Sequence, residues 1–223
     1  MSEKRTRLNL VLIVTALLLV GFAGGYYARV PLERGTAQLK SSLASRSHQK
    51  YLNAKFVGKP AVGIDSVTLD GAPFSLSDTN GRVVLLFFWA SWCPYSRNAF
   101  PAIQAIQDRY AGRDDFQIIG VSLDRNTDAL NDFVGARDIR WVNLYENGKA
   151  WSSTSVKSYE VRAIPSRWVI DRNQLVSGAE LSQAAAEDLL SVLLENKHRE
   201  KPAGVQGLSG IVEGGGCSAS DAY

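Results

Sequence analysis

The chain has 223 residues, 45% hydrophobic and 21% charged, with 19 glycines and 7 prolines. That leaves room for one ordinary domain plus short appendages and excludes a disordered or collagen-like polymer. The formal charge of +3 is carried mostly by residues 1–7, where Lys4, Arg5 and Arg7 stand against Glu3, so the body is near neutral and offers nucleic acid no footing. Cys93 and Cys217 are too few for a disulfide framework, and the only histidines, His48 and His198, lie too far apart for structural zinc or a Ser-His-Asp triad. No metal and no cofactor is expected.

In chain order, residues 1–7 form a basic terminus expected on the cytoplasmic side. From Leu8 to Ala28 there are 21 residues without a charge, enough at about 1.5 Å each to cross a hydrocarbon layer of about 30 Å. The segment reads as a single-pass anchor. The alternative is a signal peptide cleaved near Gly21-Phe22-Ala23, and either reading places the remainder outside the cytoplasm, in the periplasm. Residues 29–58 read as a polar stalk, helical in part between Leu39 and Phe56. A domain is expected over 59–200. It opens with two short strands from Val67 to Leu76 around Asp70-Gly71. Arg82 to Ala90, nearly unbroken in apolar residues, predicts a strand buried on both faces. Helices follow from Ile103, Ile106 and Tyr110 and from Ala129, Leu130, Phe133 and Val134, with a buried strand over Phe116–Leu123 between them. Trp141–Tyr145 and Trp168–Ile170 read as further strands, and Ala184–Leu194 as a closing helix. This alternation predicts an α/β domain around a mostly parallel sheet. Residues 201–223, rich in Gly and Ser, read as a flexible tail carrying Cys217.

Cys93 stands three residues past the long strand and before Pro94, which suits the first helical position. A cysteine at a helix N-cap meets free backbone N–H groups and the positive end of the dipole, which favour the thiolate. The alternative is an inert buried cysteine. The string Phe88-Trp89-Ala90-Ser91-Trp92-Cys93-Pro94-Tyr95-Ser96, with Pro101 eight positions after the cysteine, resembles the active-site segment FWAxWCxxC of the thioredoxin superfamily. Val161 to Asp171, containing Ile164-Pro165, resembles that family's cis-proline segment. The strings Leu69-Asp70-Gly71 and Phe74 to Asp78, and the spacing of 72 residues from Cys93 to Pro165, resemble the TlpA and ResA branch related to the AhpC/TSA redoxins. The resemblance covers about residues 59–196. It implies a thioredoxin-like fold with a central mixed sheet flanked by helices, an N-terminal hairpin and a strand-helix insertion. It also implies thiol-disulfide exchange at Cys93, with Pro165 shaping a groove where Trp92, Pro94, Tyr95 and Ile164 meet an extended substrate.

Three chemical groups of that family are missing. Its second cysteine is Ser96, its buried aspartate falls at Phe87, and the glutamate of the ResA-like branch falls at Ala99. Ser96 can donate a hydrogen bond to a Cys93 thiolate but cannot close a disulfide, so dithiol cycling between these two positions is excluded. The expected activity is monothiol, mixed-disulfide exchange on protein or small-molecule disulfides. Cys217, on a tether with a reach of about 20 Å, is either a resolving thiol, an exposed tail thiol without a role, or a dimerising one. From a different class, the same groove could serve a redox-inactive interaction module. A thiol peroxidase fits less well, because Leu86 and Ala90 stand where that pattern wants proline and threonine.

Overall fold

A computed structural model describes residues 44–195 and 216–218. The chain divides into two compact units, Met1–Arg46 and Ser47–Tyr223. Of the first, only 44–46 are described, and these are helical. The expected anchor over 8–28, half of the expected stalk and most of the expected tail lie outside the described residues. Among those described, no helix is long and apolar enough to cross a membrane.

Helix α1 occupies residues 44–56, in the part of the stalk where helix is expected. The hairpin follows as β1 (Asp65–Val67) and β2 (Pro73–Ser75), antiparallel, with Gly71 at φ +86° in the turn, a conformation glycine adopts without steric cost. Its arm reaches the main sheet, where the Leu69 N–H donates to the Asn143 carbonyl.

The main sheet contains β3 (Val83–Trp89), β4 (Phe116–Ser122), β5 (Val142–Tyr145), β6 (Ser166–Ile170) and β7 (Val176–Gly178), in the order β5-β4-β3-β6-β7. β3, β4 and β5 are parallel, whereas β6 and β7 are antiparallel to their neighbours. The sheet is therefore mixed, and a purely alternating strand-helix reading overstates its parallel share. The reason is the tight β6-to-β7 connection, Asp171–Leu175. Asp171 Oδ1 accepts from the Asn173 and Leu175 N–H groups, which turns the chain back without a helix. Neither β7 nor the five-residue helix α4 (Thr154–Ser158) is legible from periodicity, because each is too short for a repeat to stand out.

β3 is buried at all 7 positions, and its side chains alternate between two cores. Val83, Leu85, Phe87 and Trp89 face α2 (Pro94–Arg109), α3 (Thr127–Gly135) and α5 (Gln183–Glu195). Val84, Leu86 and Phe88 face α1, the hairpin and α4. Phe87, at the position of the missing aspartate, packs edge-on against Phe100 with ring centres 5.9 Å apart. An apolar ring there fills space that a carboxylate would need water or a partner to occupy. Gly120 on β4 is required for close packing: an added Cβ would run into Asn143 Oδ1 and lie 2.9 Å from Trp89 Nε1. Because β3 ends at Trp89 in the middle of the sheet, the turn that follows sits at the carboxyl edge of the parallel strands, where α/β folds commonly place their chemistry.

Candidate active site

Cys93 is the N-cap of α2, extended at φ −81° and ψ 117°, with Pro94 in the first turn. Its carbonyl accepts from the Arg97 N–H at 3.0 Å, which starts the helix. The turn leading to it is anchored by Asp124, just past the end of β4. The Asp124 carboxylate is buried and accepts from the Ser91 N–H (3.2 and 3.0 Å), the Ser91 hydroxyl (2.6 Å) and the Ser122 hydroxyl (2.8 Å). Sequence reasoning passes over Asp124. Its signal is an acidic residue two positions past the end of a largely apolar strand, in the string Ser122-Leu123-Asp124.

Across from Cys93 lies the segment before β6, where the Ile164–Pro165 peptide bond is cis. Ile164 is buried and Pro165 half-buried. Cys93 Sγ is 3.6 Å from the Ile164 carbonyl oxygen. The aromatic surface expected around the cysteine is only partly present: Tyr95 is 49% exposed and Pro94 exposed, but Trp92 is half-buried against the core. Ile164 presents its backbone N–H and carbonyl to the site, and its buried side chain belongs to the same apolar cluster as Cys93 and Cys217.

Ser96 is brought to the site but is fully buried, and its hydroxyl accepts a long bond, 3.5 Å, from the Ala90 N–H. The expected interaction of Ser96 with Cys93 belongs to a thiolate, and Cys93 is not a thiol in this structure. It is joined by a disulfide to Cys217, 124 residues further along, with Cα atoms 6.0 Å apart. Cys217 is 4% exposed and Cys93 fully buried. The expectation of an exposed tail thiol is therefore corrected: Cys217 is buried, and it reaches Cys93 from the tail instead of from the next turn of α2.

The tail reaches that place by strand pairing. Residues 216–218 lie antiparallel to Ile164, with the Ile164 N–H donating to the Cys217 carbonyl at 2.9 Å and the Cys217 N–H to the Ile164 carbonyl at 2.8 Å. This much of the expected flexible tail is fixed. The physical reason is that Ile164, ahead of the edge of β6, has a donor and an acceptor that need partners. Among the described residues, no group of three or more His, Cys, Asp or Glu side chains could hold a metal ion. The site's chemical content is thus two sulfurs, a helix N-terminus, and a backbone edge that accepts an extended peptide.

A family model described as the AhpC/TSA family matches residues 57–179, which carry Cys93 and Pro165. The chain is similar to the thiol-disulfide oxidoreductase ResA of Bacillus thuringiensis, at 24% identity over 140 residues, 61% of this chain and 78% of that protein. It is also similar to the soluble secreted antigen MPT53 of Mycobacterium bovis, at 26% identity over 92 residues, 41% of this chain and 51% of that protein. Among solved structures, the thioredoxin domain of a thiol-disulfide oxidoreductase from Bacteroides vulgatus superposes with a TM-score of 0.53 at 22% identity, covering 60% of this chain and 96% of the other. The fold is thioredoxin-like, a five-stranded mixed sheet flanked by helices with an N-terminal hairpin.

Proposed function

The chain belongs to the AhpC/TSA family, and from that footing we propose that it carries out thiol-disulfide exchange with Cys93 as nucleophile and Cys217 as the resolving thiol. The observation that supports this most is the bond between them, formed at a helix N-cap beside a cis-proline. In the reduced protein the Cys93 thiolate attacks one sulfur of a substrate disulfide, forming a mixed disulfide and releasing the other sulfur as a thiolate. Cys217, deprotonated, then attacks the Cys93 sulfur, closing the internal disulfide and releasing the second substrate thiolate. Two protein thiols are oxidised and one disulfide is reduced. An external dithiol returns the protein to its starting state, and in the opposite direction the same bond oxidises a client dithiol. Ser96, one turn into α2, donates to the thiolate once the bond opens, and Trp92, Pro94, Tyr95 and Pro165 border the entrance. Partners are disulfide- or thiol-containing proteins or small thiols. The 8–28 segment tethers the 59–200 domain to a membrane on its extracytoplasmic side, where disulfides persist, and the secreted nature of one relative supports that placement.

A second reading has its own support in the full burial of the Cys93 sulfur: the bond is a permanent staple in an interaction module without redox activity. Reaction of the reduced full-length chain, held in detergent, with 5,5′-dithiobis(2-nitrobenzoate) separates the two. The wild type is expected to release two equivalents of thionitrobenzoate and end internally oxidised. Cys217→Ser is expected to release one equivalent and retain the other on Cys93, visible as added mass. A Cys93 that stays unmodified in Cys217→Ser until the protein unfolds would overturn the exchange reading in favour of the staple.

A further inference from the structure

The pairing of residues 216–218 with Ile164 uses backbone groups alone, and such pairing by itself is indifferent to sequence. Discrimination must come from the places where side chains fit or fail to fit. Gly216 marks one. A Cβ built on it would lie 3.1 Å from the Ile164 carbonyl oxygen and 3.2 Å from Ala163 Cβ, closer than ordinary van der Waals contact. Its φ is not in the left-handed region, so the position calls for glycine because of space and not because of backbone conformation. Neither neighbour has a flexible far end that could swing aside: one is a backbone carbonyl oxygen and the other the methyl of Ala163.

Building on the exchange reading and the client groove that comes with it, we propose that the track along Ile164 selects client cysteines preceded by glycine, and that the protein's own tail competes with clients for it by occupying it in the oxidised state. The client cysteine then sits where Cys217 sits, with its sulfur against Cys93 and its backbone paired to Ile164. Cys93 attacks that sulfur, the client's other sulfur leaves as a thiolate, and the mixed disulfide is held by the two backbone bonds. For resolution the client sulfur turns away from the track, because Cys217 must approach the Cys93 sulfur opposite the departing client sulfur, and Cys217 then returns to the same bonds. The client therefore leaves the track as the tail enters, and the oxidised protein is closed to further reducible clients until an external dithiol releases its tail. A residue larger than glycine before the client cysteine pushes the strand away from Ile164, weakening both backbone bonds and moving the sulfur out of line.

The test uses reduced full-length Cys217→Ser and two tetrapeptides, acetyl-Gly-Gly-Cys-Ser-amide and acetyl-Gly-Val-Cys-Ser-amide, each as its mixed disulfide with thionitrobenzoate. Thionitrobenzoate release is followed, and each rate is divided by that of the same peptide with free glutathione, which removes intrinsic reactivity. The tail, still able to pair in this variant, competes equally with both peptides. The glycine peptide is expected to react at least about tenfold faster, the effect of forcing a branched side chain into a space without room for it. Equal rates, a valine preference, or reaction of neither peptide while 5,5′-dithiobis(2-nitrobenzoate) still modifies Cys93 would overturn the glycine track and leave the exchange reading standing. Failure of that reagent as well would overturn both.

Discussion

At the scale of single residues, the turn that carries Cys93 is held by one buried carboxylate. Asp124 accepts from three separate donor groups in the turn before Cys93 and at the end of β4, and it is 2% exposed. Truncation would leave the Ser91 amide, the Ser91 hydroxyl and the Ser122 hydroxyl to find other partners in a space that water reaches poorly. Asp124→Ala is expected to cost about 3 kcal/mol in urea unfolding, and Asp124→Asn, which keeps one acceptor oxygen, about half as much. A change of under about 0.5 kcal/mol in both would show that the turn holds itself. On the opposite face of β3, Phe87 packs against Phe100, which Trp89 also meets, so the central strand keeps its core without the buried aspartate.

At the scale of elements, α1 matters because of what it covers. Leu52 and Phe56 are buried in the core that also holds Trp168 and Tyr159, and Phe56 meets the Trp168 ring edge-on at 5.1 Å. The end of what reads as a stalk is thus part of the domain. Near the beginning of α1, His48 Nε2 lies 3.4 Å from Glu180 Oε2. Burial pushes the Glu180 carboxyl up to about 7, opposed by Arg162. Burial first, then Arg162, lowers the His48 imidazole, against a smaller upward pull from Glu160. Both groups are thereby driven toward their neutral forms, and the contact is poorly described as a permanent ion pair. A carboxyl whose folded pKa is raised holds its proton more tightly in the fold, so its contribution to stability falls as pH rises from about 4.5 to about 7. His48, lowered in the fold, acts in the opposite sense and favours the fold more as pH rises toward 6.5. Glu180→Gln is expected to remove the falling contribution, on the order of 3 kcal/mol across that interval, and to leave the rise due to His48. Urea midpoints measured from pH 4.5 to 8 check this, and parallel profiles for the two proteins would refute it.

At the scale of the whole molecule, the sheet is secured at both ends. At the end away from Cys93, Asp115 accepts from Arg113 at 2.8 and 2.9 Å and from Arg172 at 2.8 Å, while both guanidinium groups also donate to carbonyls at the end of α5, Leu194 and Leu193. Arg113 and then Arg172 hold the Asp115 carboxyl well below the usual range, a shift that burial opposes. At the other end the Cys93–Cys217 bond closes a covalent loop with a separation of 124 residues. A permanent staple over that separation would stabilise the fold by up to about 5 kcal/mol. A bond that exchanges in use cannot be so strongly favoured by folding, since whatever stabilises the oxidised fold makes the bond harder to reduce. Reduction is therefore expected to lower Tm by no more than about 5 °C, whereas a staple would lower it by about 10 °C or more. Paired calorimetric scans with and without a phosphine reductant, against Cys217→Ser, give the answer.

How much of this was legible in the sequence follows from the range of the forces involved. Alternation and unbroken apolar runs report burial directly, so β3, β4, α3 and α5 were readable within a few residues, as were the Asp70-Gly71 hairpin and Cys93 at a helix N-cap before Pro94. Those features depend on neighbours along the chain. β7 and α4 were not readable, because each is held by contacts made elsewhere and is too short to show a period. The cis state of Ile164–Pro165 and the service of Asp124 to Ser91 likewise depend on groups brought together only by folding. The partner of Cys93 is the clearest case. The chain's own spelling excludes Ser96 as a second sulfur and leaves Cys217 among several roles. What the tertiary structure decides is its place: at the backbone of Ile164 two hydrogen bonds pair with the tail, beside the bond between two sulfurs that the sequence holds 124 residues apart.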